Sequence, residues 1–158
     1  MFLVIKINLV LVQCDITAAF IHGHVPPIET SYVHQTRGFH RGNSDKVLCL
    51  KRTLYGLKQS SWYFFQYLTK HLIKQGLTTS ALDSCLFICR SLIVIIYFDD
   101  ILIYSRSAAE IDKLIDNLQQ DYISLHKEGT AEGYLGVDIN KKGGKIILCQ
   151  KKKKKRII

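Results

Sequence analysis

Two apolar runs dominate the pattern of this chain, Leu92-Ile93-Val94-Ile95-Ile96-Tyr97-Phe98 and Ile101-Leu102-Ile103-Tyr104, separated only by Asp99 and Asp100. Their β-branched and aromatic content suits buried strands. Similar patterns predict strands over about 3–14, 47–50, 86–90, 134–140 and 145–149, the last two flanking the turn signal Lys141-Lys142-Gly143-Gly144. The first of these strands ends at Asp15. A period of three to four residues replaces alternation over about 57–75, where Trp62, Phe65, Leu68, Leu72 and Ile73 predict a helix stopped by Gly76. A second helix is predicted to about residue 122, with Ser107 as its cap, Glu110 three residues later, and Ile111, Leu114, Ile115 and Leu118 on one face. Residues 16–20 suit a helical turn, and Gly23, Pro26, Pro27, Gly38 and Gly42 mark an irregular stretch over about 22–45.

The resulting order, β-α-β-β-α-β, predicts an α+β fold of the split βαβ kind: an antiparallel sheet with two helices packed on one face. In that layout the first strand neighbours the central hairpin, and Asp15 can approach Asp99 and Asp100. Two like charges about 4 Å apart repel by about 1 kcal/mol in water and by about 4 kcal/mol at an effective dielectric of 20. Two readings of the acidic tip stand at this point. Asp99 and Asp100 are either the solvated residues of a two-residue hairpin turn, or, with Asp15, carboxylates for Mg²⁺, a hard cation that takes oxygen ligands and keeps several waters. Two such ions about 3.5–4 Å apart serve phosphoryl transfer by stabilising the attacking and leaving oxygens. Phe20 is likewise either a core aromatic or the floor beneath a bound sugar.

Charge and cysteines narrow the picture. The net charge is +9, but six of those charges come from Lys151 to Arg156, leaving +3 for the rest of the 158 residues. The run reads as a solvated tail, a localisation signal or a salt-sensitive contact to phosphate backbones. Five cysteines, an odd number with no Cys-x-x-Cys pair, exclude a disulfide scaffold and suit small buried hydrophobes. His22-x-His24 with His34 and His40 matches no zinc-ligand spacing. Lys6 and Asn8 interrupt the N-terminal apolar run in a way foreign to a signal peptide, and no stretch reaches the roughly 18–20 apolar residues of a membrane span. An intracellular chain without a membrane partner is expected.

The ordered motifs carry a resemblance. Gln13-Cys14-Asp15-Ile16-Thr17-Ala18-Ala19-Phe20-Ile21-His22-Gly23, then Tyr32, Gln35, Gly38 and Phe39, then Leu50-Lys51 with Leu54-Tyr55-Gly56-Leu57-Lys58-Gln59 and Trp62-Tyr63 come first. Asp83-Ser84-Cys85-Leu86-Phe87, Tyr97-Phe98-Asp99-Asp100, and Glu128-Gly129 with Tyr134-Leu135-Gly136-Val137 complete the set. Together these blocks resemble the reverse transcriptase of copia-type long-terminal-repeat retrotransposons over about residues 11–150. The resemblance implies a polymerase palm over 1–150 followed by a basic tail over 151–158, with the fingers and RNase H regions missing and the thumb mostly so. It implies RNA-directed DNA polymerisation as the ancestral function, through two Mg²⁺ or Mn²⁺ ions held by Asp15, Asp99 and Asp100. Phe20, Lys58, Gln59 and Tyr97 would bind the nucleotide, and RNA/DNA primer-template and deoxynucleoside triphosphates would be the partners. The isolated chain is then expected to be weakly active or inactive. A nucleic-acid-binding module without catalysis and a pseudogene relic are the alternatives.

The third block departs from the family pattern. Only Ser60 and Ser61 separate Gln59 from Trp62 where the family has four residues. Two missing residues turn a helix by about 200°, so either the helix starts later or it presents another face.

Overall fold

The structure, a computed structural model, describes residues 9–39, 42, 45–129, 133–134, 137–142 and 145–150. The basic run, residues 3–8 of the predicted first strand, His40, Leu135, Gly136 and the Gly143-Gly144 turn lie outside the described residues. In chain order the strands are β1 (Val10–Ile16), β2 (Tyr32–His34), β3 (Val47–Cys49), β4 (Thr78–Thr79), β5 (Leu86–Ile88), β6 (Leu92–Tyr97), β7 (Asp100–Ser105), β8 (Leu125–Gly129), β9 (Gly133–Tyr134), β10 (Val137–Lys142) and β11 (Lys145–Cys149). The helices are α1 (Ser60–Lys74) and α2 (Ala108–Gln120), and a 3-10 turn spans Ala19–His22. Two compact units divide the chain, residues 1–17 with 72–158, and residues 18–71.

The first unit is built on an antiparallel sheet of six strands in the order β4-β5-β6-β7-β1-β8. Residues paired across neighbouring antiparallel strands project from the same face, and successive residues alternate between faces. Cys14, Ile16, Ile101, Ile103, Val94, Ile96 and Phe87 therefore share one face and are buried. α2 packs against β7 and β8 and buries Ile111, Leu114, Ile115 and Leu118, the face its periodicity predicts. On the opposite face Leu9, Leu11, Leu102 and Tyr104 cluster with Ile139 of β10, and Ile93, Ile95 and Tyr134 pack against them. Burial on both faces explains why β6 and β7 are continuously apolar instead of alternating.

Several boundaries correct the sequence reading. Asp15 lies inside β1, one residue before its end, because Ile16 still pairs with Leu125. β8 was not foreseen, since only Leu125 in Leu125–Gly129 is apolar; as an edge strand it needs just one buried row. β9, β10 and β11 form a separate three-stranded sheet. Ser107 makes no side-chain cap: its own N–H donates to Ser105 Oγ at 3.1 Å, while the Glu110 carboxylate accepts from Ser91 Oγ at 3.3 Å. The expected capping box is thus dissolved by two nearer serines.

In the second unit β2, which falls inside the stretch predicted to be irregular up to residue 45, pairs with β3, the strand predicted over 47–50. α1 starts in this unit at Ser60, later than the predicted 57, one of the two outcomes left open by the shortened third block, and its last residues, Leu72 to Lys74, belong to the first unit. Its buried residues are Ser60, Phe64, Leu68 and Leu72, an i, i+4 series, whereas Trp62 and Ile73 of the predicted face are 58% and 54% exposed. Among the described residues no helix is long and apolar enough to cross a membrane. The described cysteines are all free, and buried Cys14 has its thiol pushed up to about 11 by desolvation, consistent with an unreactive core group.

Candidate active site

The register of β1 decides where the carboxylates lie. Asp15 pairs directly with Asp100 of β7 on one side and with His126 of β8 on the other, so all three project from the face opposite α2. Tyr97 pairs with Asp100 across the β6–β7 hairpin and shares that face. Cα partners of this kind hold their Cβ atoms about 4.5–5.5 Å apart. Asp99 is tied in through its backbone, since its carbonyl accepts a hydrogen bond of 2.9 Å from the N–H of Ile16.

The hairpin turn consists of Phe98 and Asp99, which corrects the reading of Asp99 and Asp100 as the two turn residues: Asp100 already belongs to β7. Phe98 takes φ of +55°, the left-handed region in which a bulky side chain crowds its own backbone. A two-residue hairpin whose first turn residue alone has positive φ follows the type II′ pattern, which normally places glycine there. Phe98 is half exposed, and its ring meets Tyr97 edge-on at 4.8 Å. Phe98→Gly and Phe98→Ala both lose that contact, but only glycine relieves the backbone. The glycine variant is expected to be the more stable of the two by about 0.5–1 kcal/mol in urea unfolding, the reverse of the ordinary ranking. An alanine variant as stable as the glycine variant would remove the strain from this account.

Mutual repulsion is visible at Asp100. Its carboxyl holds a proton more tightly than usual because of partial burial, then the charges of Asp99, Glu128 and Asp15 in that order. Glu128 is the residue that the sequence reading did not count among the carboxylates. Tyr134 reaches toward the same group from β9: burial pushes its phenol up to about 12, with the charge of Asp100 the next contributor. Its hydroxyl is buried without a hydrogen-bond partner.

Carboxylates gathered around Asp100 fit a hard divalent cation in donor chemistry. Among the described residues, however, no three His, Cys, Asp or Glu side chains converge closely enough to hold one ion.

The other predicted nucleotide-binding residues belong to the second unit. Phe20 is half-buried, with its ring 4.5 Å from that of Tyr55 and 6.1 Å from that of Phe64, the latter edge-on. It is held from behind: buried Thr53 donates its hydroxyl to the Phe20 carbonyl, and its N–H to the Gly23 carbonyl at 3.0 Å. A Cβ on Gly23 would meet Thr53 Oγ1 at 2.5 Å, so this glycine is demanded by close approach. Thr53 is a second residue missed in the sequence, although a polar side chain beside Leu54-Tyr55 gave a signal. Lys58 is exposed, and Gln59 donates to Ser31 Oγ at 3.5 Å.

Comparison with known proteins agrees with the ordered motifs. The family model described as reverse transcriptase (RNA-dependent DNA polymerase) matches residues 1–158. The chain is 29% identical over 147 residues to the transposon Ty1-MR1 Gag-Pol polyprotein of Saccharomyces cerevisiae, covering 89% of this chain and 8% of that one. The truncated transposon Ty1-A Gag-Pol polyprotein of the same yeast is also 29% identical over 147 residues, 12% of its length.

Proposed function

This chain belongs to the reverse transcriptase (RNA-dependent DNA polymerase) family, and we propose that it carries the carboxylate-bearing palm region of such an enzyme from a copia-type retrotransposon. The pairing of Asp15 with Asp100, with Asp99 in the adjoining turn, is the observation that carries this reading. The sheet order supports it as well: the β6–β7 hairpin, β1 and β8 lie side by side as a split βαβ core would have them.

In the proposed site Asp15, Asp99 and Asp100 hold Mg²⁺ or Mn²⁺, which when bound would neutralise charge developing on a transferred nucleotidyl phosphate. The chain's own residues do the positioning. Asp15 and Asp100 approach from adjacent strands of one rigid sheet, and the Ile16–Asp99 backbone bond fixes the turn against β1. Tyr97 offers an exposed ring beside Asp100, and Phe20, Lys58 and Gln59 are proposed to contact the nucleotide. Primer-template and deoxynucleoside triphosphates are the proposed substrates.

A second reading is a nucleic-acid-binding module without catalysis, with the basic run Lys151 to Arg156 as a salt-sensitive contact to phosphate backbones. Calorimetric titration with Mn²⁺ separates the two. The wild-type chain is expected to bind, and Asp99→Asn to weaken binding by at least about tenfold, or 1.4 kcal/mol. Equal titrations of the two proteins would remove the metal site and leave the binding module.

A further inference from the structure

The end of the six-stranded sheet away from the aspartates is formed by two neighbouring turns. Leu92 pairs with Ser105, so the β5–β6 turn, Cys89-Arg90-Ser91, lies beside the crossing from β7 to α2, Ser105-Arg106-Ser107. Ser105 clamps the two together. It is 2% exposed, its hydroxyl donates to the Ser91 carbonyl at 2.8 Å, and its Oγ accepts from the Ser107 N–H at 3.1 Å. Each turn carries an arginine at its middle, and Arg90 and Arg106 are both exposed and both line one cavity of about 470 Å³.

That volume falls within the roughly 300–1,000 Å³ of small-molecule pockets. All of its lining belongs to the first unit, and its apolar wall includes Leu9, Ile93 and Tyr104 from the cluster on the sheet face opposite α2. The charges around that wall are unbalanced. Glu110, the acidic residue of the lining, already accepts from Ser91 Oγ, and among the described residues neither Arg90 nor Arg106 forms an ion pair. Two cations beside a low-dielectric wall attract an anion more strongly than the same charges in open solvent. A bare anion has no use for the apolar wall, and a neutral hydrophobe has none for the arginines. A ligand with both characters matches both.

We propose that this cavity is a second binding site, for a small amphiphile that joins an apolar body to one anionic group. Arg90 and Arg106 take the anion, and Leu9, Ile93 and Tyr104 take the body. The site is separated from the carboxylates by the length of the six-residue β6, on the order of 17 Å, and it does not rest on the cation reading.

Calorimetric titration of the full 158-residue chain with 1-naphthylacetate tests it, with 1-naphthylacetamide as the uncharged ligand of the same shape and acetate as the charge without the body. Naphthylacetate is expected to bind at one saturable site. The amide and acetate are each expected to bind at least about tenfold more weakly, since one lacks the charge-assisted contacts and the other the buried apolar area. Replacing both arginines, Arg90→Gln with Arg106→Gln, should weaken naphthylacetate by about tenfold, the sum of two exposed ion pairs. Arg37→Gln, at an exposed cation of the other unit, should change it by less than about twofold. Both replaced arginines are exposed, so the double variant should keep a cooperative thermal melt. Equal affinity for the acid and its amide would overturn the anionic character of the ligand. A loss in Arg37→Gln as large as that in the double variant would overturn the location, and no saturable binding of naphthylacetate would overturn the site itself.

Discussion

Phe87→Ala is expected to cost about 3–5 kcal/mol, a large part of the 5–15 kcal/mol that holds a typical domain together. The effect is out of proportion to β5, a strand of three residues. Phe87 is fully buried, pairs with Val94 and Thr79, and continues through Val94 to Ile103 and Val12 as one row across five strands. Removing the ring opens a cavity on the α2 face of the sheet, beside the hairpin that carries Asp99 and Asp100. Neighbouring strands cannot collapse into that space without breaking the ladder on either side. Urea unfolding should show a lowered midpoint with an unchanged slope. Leu82→Ala, at a residue 97% exposed, should stay within about 0.5 kcal/mol of wild type. A loss below about 1 kcal/mol for Phe87→Ala would mean that β5 is not part of the packed sheet.

What the sequence yields about this fold depends on how many faces an element buries. α2 buries one stripe, and Ile111, Leu114, Ile115 and Leu118 announce it. β6 and β7 bury two faces and announce themselves by continuity. α1 is ambiguous because Trp62-Tyr63-Phe64-Phe65 supplies an aromatic residue to every direction at its start. Periodicity alone then cannot choose Phe64 over Trp62 and Phe65. β8 escapes notice for the opposite reason: His126, Lys127 and Glu128 read as a polar loop, and only the pairing with β1 makes them a strand.

The site was legible in part for the same physical reasons. Asp15, Asp99 and Asp100 stand out because carboxylates interrupt or terminate apolar runs. Their mutual approach followed from the predicted strand neighbours, and the register of β1 against β7 bears it out for Asp15 and Asp100. Glu128 lies in a segment with no apolar contrast, and its direction depends on a bulge that no periodicity encodes. The available signal was Gln13, a buried amide whose Nε2 donates to Glu128 Oε2 at 2.5 Å. The left-handed turn at Phe98 was illegible because the residue type argues against it.

Asp100→Asn should make the metal-free chain more stable while removing its response to Mn²⁺. Burial, Asp99, Glu128 and Asp15 all make the native state hold the Asp100 proton more tightly than the unfolded chain does, whose ordinary value is 3.8. With the folded value raised, the native state binds more protons within the window between the two values, so stability falls as pH rises through it. At neutral pH the whole penalty is in force. Asparagine keeps the shape and removes the charge. In EDTA the variant should gain about 0.2–1 kcal/mol, the scale of a like-charge pair directly opposed across two strands. Its stability should also decline less than that of wild type between about pH 4 and pH 7. Mn²⁺ at 100 times its dissociation constant should add about 2.7 kcal/mol to wild type and far less to the variant, so their order of melting reverses when metal replaces EDTA. A variant that is less stable in EDTA, or one that gains as much from Mn²⁺, would sink the argument. Crossing curves would mean that these carboxylates are arranged against folding alone, and that the sheet tolerates their repulsion because a cation completes it.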